Sequence, residues 1–321
     1  MKRTIFPVLL AAISATQVAT AADGFEWKDT EGKHVDLLFN GRPVARYQYE
    51  RINDERREET YKPFHHVYDW EGEDFITKGP GGQYTHHRGI YYGFSKCSYK
   101  TEDGKEFKGQ DTWHCSKAHQ THEKFIQQTA DEQRAEQTVE IDWHGNDGTV
   151  FTKEKRTLIF SFQGDDLVVD FHSVLVPTQP EVRVDGDPQH AGFQFRASNE
   201  VSASTKKETY YIRPKSGKAE KGKTINWSAK TDNETTRDLP FKGMSVVVGG
   251  ERYSIAYLDS PGNPKPARYS ERDYGRFGSY FATDVSKDKP LVVKYRLVMR
   301  KGEFELSELE KLSADFVAHQ K

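Results

Sequence analysis

The stretch Gln83–Phe94, which reads QYTHHRGIYYGF, carries an unusual density of side chains that could do chemistry. His86, His87 and Arg88 follow one another there, directly after the turn-forming run Gly79–Gly82. Imidazole titrates near neutral pH, whereas guanidinium stays charged. A loop that presents both groups could perform acid–base chemistry beside an anionic substrate. The alternative is a set of solvated histidines at a strand edge.

Two histidine–arginine pairs suit the abstraction of a proton next to a carboxylate. The arginine would neutralise the carboxylate, and the histidine would take the acidified proton. Neighbouring residues of a strand face opposite sides, so His86 and His87 should not share one task. Residues an even number apart share a face, so one unbroken strand could present both members of the second pair. The pairs are His87 with Arg88, and His190 with Arg196.

Metal binding is a second hypothesis, because seven of the 12 histidines fall between His65 and His122. Zinc takes His, Cys and carboxylate ligands, and the histidines at 66, 86, 87, 114, 119 and 122 could supply three. None stands in an HxxxH or CxxC arrangement. We take His86, His119 and His122 as candidates for a divalent metal. We expect no nucleotide cofactor, because the sequence has no Walker or Rossmann phosphate loop.

A polar and aromatic stretch near the C-terminus forms a third cluster. Asp259–Phe281 holds three prolines and a run of charged residues that includes Arg268, Glu271, Arg272 and Tyr274. Its arginines could bind an anionic ligand such as a uronate or a sulfated sugar. A network of surface salt bridges explains the same composition equally well.

Short alternating segments bounded by turn signals must position these side chains. The pair Asn40-Gly41 between two alternating runs predicts a hairpin, and comparable segments recur about every 10 residues. The pattern predicts an all-β fold, a large antiparallel β-sandwich. One short helix is predicted at the C-terminus, where apolar residues from Leu306 to Phe316 recur at helical spacing. Ser307 and Glu310 form a capping-box pattern before that run.

The N-terminal segment reads as a secretory signal peptide. A basic start precedes the apolar run Ile5–Ile13, and Ala19–Ala21 offers a small-x-small cleavage site. The apolar run is too short to cross a bilayer, and no later stretch reaches ~18 apolar residues. We therefore divide the chain into a signal peptide, 1–21, and a single β-sandwich domain, 22–321. We expect a periplasmic or secreted protein without a transmembrane segment.

The two cysteines, Cys97 and Cys115, lie on either side of Asp103-Gly104, a dipeptide that predicts a turn. An exported protein meets an oxidising compartment, so an even cysteine count predicts a disulfide between them. Such a bond could contribute about 3 kcal/mol to stability. Two free buried thiols are the alternative.

Charge and composition restrict the classes of ligand. The formal net charge of -2 argues against nucleic acid, which binds to a basic face. Aromatic residues make up 12% of the chain, and Tyr and Trp stack well on sugar rings. This favours a carbohydrate ligand weakly, because a β-rich core also concentrates aromatic residues.

Several motifs in combination resemble a known family. The chain is similar to the exported bacterial family that automatic annotation labels PmoA-like, or methane oxygenase. The match covers nearly the whole mature chain, but Gly81–Thr85 departs from the proline-rich stretch, with an acidic residue and a His-Pro, that usually precedes the His-His-Arg motif. The matching positions are Lys62-Pro63-Phe64 with His65 and His66, His86-His87-Arg88-Gly89-Ile90, Asp111 and Trp113, His190-Ala191-Gly192-Phe193 to Arg196, Asn263-Pro264, Arg272, Tyr274-Gly275, and Tyr295-Arg296.

The label itself does not suit this chain. A membrane-embedded methane monooxygenase subunit needs transmembrane helices, which this sequence lacks. The resemblance instead implies a component of an exported polysaccharide-utilisation system. Some similar proteins act on uronate-containing algal oligosaccharides by removing water or by β-elimination. The resemblance also implies the galactose-mutarotase-like supersandwich, a fold that hosts epimerases, lyases and sugar-binding domains.

The residue pairs and the resemblance lead to one hypothesis, a lyase or dehydratase that acts by β-elimination on uronate-containing oligosaccharides. Arg88 and Arg196 would hold the carboxylate. His87 or His190 would take the proton at C5, and Tyr274 would donate a proton to the leaving oxygen. The other candidate substrate-binding residues are His66, His86, Trp113 and Arg272.

Three alternatives stay open at this point. The first is an isomerase or hydrolase on a neutral sugar, which needs a carboxylate partner and has Glu271 as its candidate. The second is a carbohydrate-binding protein without catalysis. The third is a structural metal protein in which the histidines hold zinc.

Overall fold

The computed structural model describes residues 23–231 and 233–320, and strands make up most of it. The predicted signal peptide, 1–21, lies outside the described residues. The α-helical segments are α1 (Arg57–Thr60) and α2 (Leu306–Ala318). The strands are β1 (Phe25–Thr30), β2 (His34–Phe39), β3 (Arg42–Gln48), β4 (Phe64–Val67), β5 (Ile90–Phe94), β6 (Cys97–Lys100), β7 (Glu106–Gln110), β8 (His119–Ala130), β9 (Arg134–His144), β10 (Val150–Gln163), β11 (Asp166–Pro177), β12 (Glu181–Val184), β13 (Ala191–Arg196), β14 (Tyr210–Arg213), β15 (Gly217–Lys218), β16 (Phe241–Val248), β17 (Glu251–Asp259), β18 (Arg268–Arg272), β19 (Arg276–Tyr280), β20 (Thr283–Val285) and β21 (Leu291–Lys301).

The strands form three antiparallel sheets. An eight-stranded sheet has the order β1-β2-β3-β4-β5-β13-β19-β18, and a nine-stranded sheet has the order β15-β14-β16-β17-β21-β11-β10-β9-β8. A small third sheet has the order β20-β12-β6-β7. The prediction of an all-β antiparallel fold with a short C-terminal helix is therefore confirmed.

Aromatic side chains fill the space between the two large sheets. Phe171 of β11 stacks on Phe193 of β13 with ring centroids 4.3 Å apart. Tyr92 of β5 meets Trp143 of β9 edge to face at 5.9 Å. Both arrangements are favourable for aromatic pairs, and all four side chains are buried. The core thus anchors β5 and β13, the two strands next to the candidate site.

The predicted hairpin at Asn40-Gly41 is confirmed. It joins β2 to β3, and Asn40 and Gly41 both have positive φ, 50° and 77°. A two-residue hairpin turn with both central residues in the left-handed region matches the twist of the flanking strands. The Asn40 side chain also accepts a hydrogen bond from the backbone N–H of Gly24 at 2.7 Å, which ties the turn to the chain before β1.

The N-cap of helix α2 lies two residues before the predicted cap, Ser307. This N-cap is Glu305, which forms a capping box with Glu308, so the predicted box of Ser307 and Glu310 is wrong. A carboxylate accepts backbone N–H groups as a hydroxyl does, and its charge is favourable at a helix N-terminus. Leu309 of this helix is buried in a cluster on the outer face of the nine-stranded sheet.

Cys97 and Cys115 are free buried thiols, so the predicted disulfide is wrong. The hairpin of β6 and β7 pairs Cys97 with Gln110 rather than with Cys115. Cys115 lies beyond β7 in a turn with φ of 56°, and its thiol donates to the carbonyl oxygen of Thr112 at 3.3 Å. An even cysteine count predicts a bond only where the strand register places the two residues opposite each other.

Across residues 23–231 and 233–320, no helix has the length and apolarity that a membrane crossing by a helix requires.

Candidate functional site

The site forms where four strands of the eight-stranded sheet, β4, β5, β13 and β19, lie side by side. His86 lies in the loop before β5, and Arg196 ends β13 opposite Arg276, the first residue of β19. Lys62, just before β4, is buried and fastens the loop. Its Nζ donates to the carbonyl oxygen of His86 at 2.8 Å and also to that of Trp113. Sheet order therefore brings together residues that are far apart in the sequence.

Lys62 sits among cations and aromatic rings rather than carboxylates. Its Nζ lies 4.5 Å from the ring centroid of Tyr91, a favourable cation–π distance. Burial, with Arg88 and Arg196 adding to it against the opposing effect of Cys115, lowers the pKa of Lys62 to about 7. The lysine thus adds positive potential beneath the site.

Three histidines converge above this platform. The ring centroids of His86 and His114 are 4.7 Å apart, those of His114 and His190 are also 4.7 Å apart, and those of His86 and His190 are 5.5 Å apart. One ring nitrogen from each lies within 4.8 Å of the others. Among the described residues, no other group of three His, Cys, Asp or Glu side chains comes together in this way.

Two of these histidines end turns of the same design. Asp111 Oδ1 accepts the backbone N–H groups of Trp113 and His114 at 2.9 and 2.8 Å, and Oδ2 meets Nδ1 of His114 at 2.8 Å. Asp187 does the same, because Oδ1 accepts the backbone N–H of His190 and faces its Nδ1, both at 3.1 Å. A carboxylate accepts only, so each Nδ1 carries a proton, and in the neutral ring the lone pair is on Nε2.

The pKa of Asp187 reflects this turn. Burial acts to raise it, but the hydrogen bonds from the His190 ring and from the backbone N–H of Gln189 lower it to about 2. The carboxylate is therefore ionised and fixed in place over the whole working pH range.

Two buried arginines face each other across β13 and β19 without a counter-ion. Arg196 and Arg276 are 2% and 0% exposed. They donate to neutral oxygens, among them Gln194 Oε1 and Ser270 Oγ, each at 2.9 Å. Within the described part of the chain neither forms a salt bridge, and the Nε atoms of both, with Nη2 of Arg276, lack a hydrogen-bond partner. Burial, and then the charge of Arg276, lowers the pKa of Arg196 well below its usual value. Like charges directly opposite each other destabilise a sheet, so this pair favours a bound anion.

A cavity of about 10 Å³ lies beside Arg196, and it is also lined by Lys78, Tyr84, His87 and Tyr274. The ring of Tyr84 lies 5.0 Å from that of His87 and 4.4 Å from that of Tyr274. Burial, followed by Arg196 and His86, depresses the pKa of His87 far below its usual range. A cavity of this size holds one water-sized group. The structure thus places an imidazole, a guanidinium and a phenol around one small space.

Most residues predicted from the sequence do meet. The rings of His86 and His87 contact different neighbours but lie only 4.4 Å apart, because His86 lies in a turn rather than in a strand. The strand argument for opposite faces therefore does not apply to this pair. His190 precedes β13 instead of belonging to it, so the expectation of one unbroken strand from His190 to Arg196 is wrong. The predicted residues that come together are His86, His87, His190, Trp113, Arg196 and Tyr274.

Trp113 does not have the substrate-binding role that was predicted for it. It is 2% exposed and therefore offers no face for a sugar ring. The guanidinium carbon of Arg196 lies 5.0 Å from its ring centroid. Trp113 thus supports the arginine from below by a cation–π contact.

Arg88 points away from the site, which corrects its predicted role. Its guanidinium group lies 4.9 Å from the ring of Tyr61 and donates to the carbonyl oxygens of Thr85 at 2.6 Å and of Glu58. Consecutive residues of an extended segment face opposite sides, so a chain that turns His87 into the cavity turns Arg88 into the loop interior. Arg276 occupies the position that Arg88 was expected to fill.

His66 and Arg272 also lie outside the cluster. His66 is buried, stacks on Phe75 with centroids 3.9 Å apart, and shares a hydrogen bond of 2.9 Å with Thr77 Oγ1. Arg272 is half-buried, and its Nη1 donates to the carbonyl oxygen of Glu271 at 3.0 Å. Both side chains are engaged in local packing.

Two of the three predicted metal candidates, His119 and His122, lie outside the histidine cluster. His119 stacks on His144 with centroids 4.6 Å apart. His122 lies 3.2 Å from the hydroxyl of Tyr47 through its Nδ1. His86 is the one candidate that belongs to the histidine cluster, where His114 and His190 take the other two positions.

Glu271 is committed to the fold. It is fully buried, and its carboxylate accepts from Lys242 Nζ at 2.8 Å, from the guanidinium of Arg213, and from the backbone N–H of Ile225 at 2.8 Å. Burial acts to raise the pKa of Glu271, but Lys242 and Arg213 lower it below its usual value. The sugar isomerase or hydrolase with Glu271 as its working carboxylate therefore loses its candidate residue.

The sequence contains a signal for the two aspartates and for the choice of His114 among the histidines. Asp111-Thr112-Trp113-His114 and Asp187-Pro188-Gln189-His190 share the spacing D-x-x-H. An aspartate that caps its own turn places a side chain three residues on beside its carboxylate. The repeated spacing could have identified both aspartates and His114, whereas Arg276 requires knowledge of the strand register.

The sequence matches the model of a family described as "Family of unknown function (DUF6807)" over residues 34–314. The chain belongs to this family. The match carries no support for the methane oxygenase label. No curated protein matches the sequence significantly.

Several solved structures share part of the architecture. A galactose mutarotase-like protein from Clostridium acetobutylicum has 8% identity and a TM-score of 0.44, with 87% of this chain and 98% of that chain covered. The galactosidase domain of the α-galactosidase-sucrose kinase AgaSK has 8% identity and a TM-score of 0.42, with 86% and 42% covered. A putative aldose 1-epimerase from Escherichia coli K12 has 8% identity and a TM-score of 0.35, with 87% and 99% covered. Likeness at this level carries no information about the substrate or reaction of this chain.

Proposed function

We propose that this protein is an exported carbohydrate-active enzyme, a lyase or dehydratase that acts by β-elimination on a uronate-containing oligosaccharide. The observation that carries the proposal is the small cavity lined jointly by His87, Arg196 and Tyr274. The three side chains supply the groups that elimination next to a carboxylate needs, which are a base, a cation and an acid. Export to the periplasm or beyond rests on the N-terminal pattern at 1–21, and cell fractionation would locate the protein.

The carboxylate of the sugar is assigned to the arginine pair. Arg196 and Arg276 are buried, uncompensated and adjacent, so an anion would relieve their repulsion and take up their free N–H groups. A carboxylate accepts from such groups in strong, charge-assisted hydrogen bonds. Withdrawing charge from the carboxylate also acidifies the neighbouring C5–H, which is the bond that must break.

The proton transfers are assigned to the two residues that flank the cation. Burial and the charge of Arg196 depress the pKa of His87, and the bound carboxylate offsets that charge. The neutral His87 then takes the proton from C5, and the released electron pair forms the C4–C5 double bond. The bond from C4 to its oxygen breaks, and Tyr274 gives its proton to that oxygen. The products are a 4,5-unsaturated uronate and either water or a shortened sugar with a free hydroxyl. A proton passed from His87 to Tyr274 through solvent restores the starting state.

The small cavity restricts how the substrate can bind. A space of about 10 Å³ admits a carboxylate oxygen but not a pyranose ring. The ring must lie outside it, on the side of the three histidines. Tyr84 covers His87 and belongs to the loop whose Gly81 and Gly82 have φ of 76° and 72°. We expect Tyr84 to move aside when a sugar binds, because this loop carries the glycines that permit such a change.

The first prediction is formation of an unsaturated product. Incubation with a panel of uronate-containing oligosaccharides should increase the ultraviolet absorbance of a conjugated double bond, and His87→Gln should abolish the increase while the variant stays folded. His319→Gln, at the exposed end of α2, is the matched control and should behave like the wild type. Saturable binding without product across the whole panel would reject elimination and leave a carbohydrate-binding protein.

The second prediction separates function from stability at the arginine pair. Arg276→Met should weaken binding of an acidic sugar roughly 10- to 100-fold, the value of one charge-assisted hydrogen bond. The same change should stabilise the fold by about 1 kcal/mol or more, because it removes one of two buried like charges. Isothermal titration with a uronate oligosaccharide and urea denaturation measure the two effects.

Arg156→Met supplies the contrast to Arg276→Met. Arg156 is equally buried, but both its Nε and Nη2 pair with Glu154 at 2.8 Å. Removing it leaves a buried carboxylate uncompensated and should cost about 3–5 kcal/mol of stability. If both variants destabilised the protein equally, the claim that Arg276 lacks a counter-ion would be wrong.

A further inference from the structure

We propose that His86, His114 and His190 bind one divalent transition-metal ion of the zinc class. The three rings come from three separate segments: the loop before β5, the turn after β7 and the turn before β13. One nitrogen of each lies within 4.8 Å of the others. Three side chains of one ligand type, converging from three segments, need a reason to meet, and a shared ion supplies one.

The aspartates prepare two of the rings for ligation. Asp111 and Asp187 hold Nδ1 of His114 and His190, so in the neutral rings Nε2 carries the lone pair that can bind an ion. Carboxylates behind metal-binding histidines fix the tautomer and ring orientation and raise the basicity of the ligand. That both turns use the same D-x-x-H design indicates that the orientation of these rings matters.

His86 supplies the third nitrogen and an independent indication. Its Nε2 atom is buried and has no hydrogen-bond partner among the described residues. A buried polar atom without a partner costs free energy and calls for an explanation such as an ion. Lys62 holds the backbone of His86 through its carbonyl oxygen at 2.8 Å, so the ring is presented from a fixed point.

The charges around the cluster are compatible with a cation. Lys62 and Arg196 lie beneath the histidines and oppose it, but Asp111 and Asp187 lie directly behind two of the ligands and offset that repulsion. Each carboxylate is hydrogen-bonded to a ligand ring, so its negative charge acts on the ion through one imidazole. The cations below would remain available to an anionic substrate.

The ligand set indicates the kind of ion and its coordination. Imidazole suits zinc, copper, iron and nickel, whereas calcium and magnesium prefer oxygen. Zinc–nitrogen bonds of about 2.0–2.1 Å place tetrahedral ligands about 3.3 Å apart, so binding would draw the rings together by up to about 1.5 Å. The side chains of His114 and His190 are 37% and 25% exposed. A fourth position is therefore open to solvent, as in catalytic rather than structural zinc sites.

The ion would also serve the reaction, and this part of the inference rests on the proposed function. The ring of His86 touches that of His87, with centroids 4.4 Å apart. A metal ion at His86 would therefore lie next to the proposed base and to the face where the sugar ring must bind. A hydroxyl or carboxylate oxygen of the sugar could complete its coordination. The ligand set itself does not depend on elimination chemistry.

Metal titration without substrate tests the site directly. After treatment with a chelator, the full-length mature protein should take up one equivalent of Zn²⁺, measured by calorimetry and elemental analysis. Co²⁺ should bind with the visible absorption of a tetrahedral complex. His114→Ala should abolish this uptake. His119→Ala is the matched control, because His119 is a histidine of the same region outside the cluster, and it should bind like the wild type.

A more conservative variant tests the same site if His114→Ala fails to fold. Asp111→Asn preserves the shape of the turn but turns an N–H donor toward His114 Nδ1, which favours the tautomer without a lone pair on Nε2. Zn²⁺ affinity should fall about 10- to 100-fold. Lack of stoichiometric uptake by the wild type, or equal Zn²⁺ affinities of Asp111→Asn and wild type, would overturn the metal site. Neither result depends on whether a sugar is cleaved, so failure of the proposed function remains distinguishable.

Discussion

The free energy of unfolding should fall steeply between pH 7 and pH 5, and three buried histidines alone should account for about 4–6 kcal/mol of the fall. They are His65 and His66 on β4 and His122 on β8, which are 2%, 2% and 9% exposed. Burial lowers the pKa of His65 to about 3, with Arg156 adding to the effect, and lowers the pKa of His122 to about 4. Burial, and then Arg88, lowers the pKa of His66 well below its usual value.

The sign follows from the direction of these pKa shifts. In the unfolded chain a histidine takes a proton near pH 6.5, whereas in the folded protein these three stay neutral. The unfolded state therefore binds more protons below about pH 6.5, and stability is lost as the pH falls toward the folded values. Each histidine contributes about 2 kcal/mol over this interval. The sum is comparable to the whole stability of an ordinary domain, about 5–15 kcal/mol.

Urea denaturation at a series of pH values measures this dependence. His65→Gln keeps a donor for Gln137, whose Oε1 lies 3.4 Å from the His65 ring nitrogen, but removes the titrating group. It should reduce the loss of stability between pH 7 and pH 5 by about 2 kcal/mol. His319→Gln, at the exposed end of the chain, should leave the slope unchanged. A stability that stayed flat from pH 7 to pH 5 would show that these rings are not kept neutral by the fold.

Glu271→Gln should destabilise the protein by about 3–5 kcal/mol. The side chain neutralises two buried cations at once, Lys242 at 0% and Arg213 at 9% side-chain exposure. Glutamine has nearly the same shape but no charge, so both cations would be left in the protein interior without compensation. Removing one partner from a buried ionic cluster is far more costly than removing a surface pair.

This result would also decide how Glu271 takes part in function. If it is a structural residue, Glu271→Gln should lower the unfolding midpoint in urea while the folded fraction keeps wild-type turnover of an acidic sugar. The matched control is Asp315→Asn, which breaks an exposed pair with Lys311 on α2 and should change the midpoint little. Loss of turnover with an unchanged midpoint would contradict the structural role and restore Glu271 as a working carboxylate.

Local patterns predicted well wherever the responsible interaction is itself local. The Asn40-Gly41 turn needs only two residues that tolerate positive φ, and the sequence prediction was correct. The D-x-x-H turns belong to the same class, because an aspartate caps its own turn regardless of the rest of the fold.

Predictions of which side chains meet in the folded protein succeeded less often. Arg88 and His87 were assigned to one carboxylate site because they are adjacent, but adjacency in an extended segment separates side chains. Cys97 and Cys115 were paired by count, yet the register of β6 and β7 opposes Cys97 to Gln110. His119 and His122 were grouped with His86 by closeness in sequence, whereas β8 carries them to another part of the molecule.

The sequence alone therefore determined the all-β class, the C-terminal helix and the side chains able to do chemistry, because these follow from short-range patterns of polarity and turn preference. Tertiary structure decided which of those side chains meet. Gln83–Phe94 supplies His86 and His87, but their partners arrive from the turns that end at His114 and His190. The cross-strand register of β13 and β19 then places Arg196 opposite Arg276. Strand order and register depend on the burial of the whole core, which no single stretch of sequence specifies.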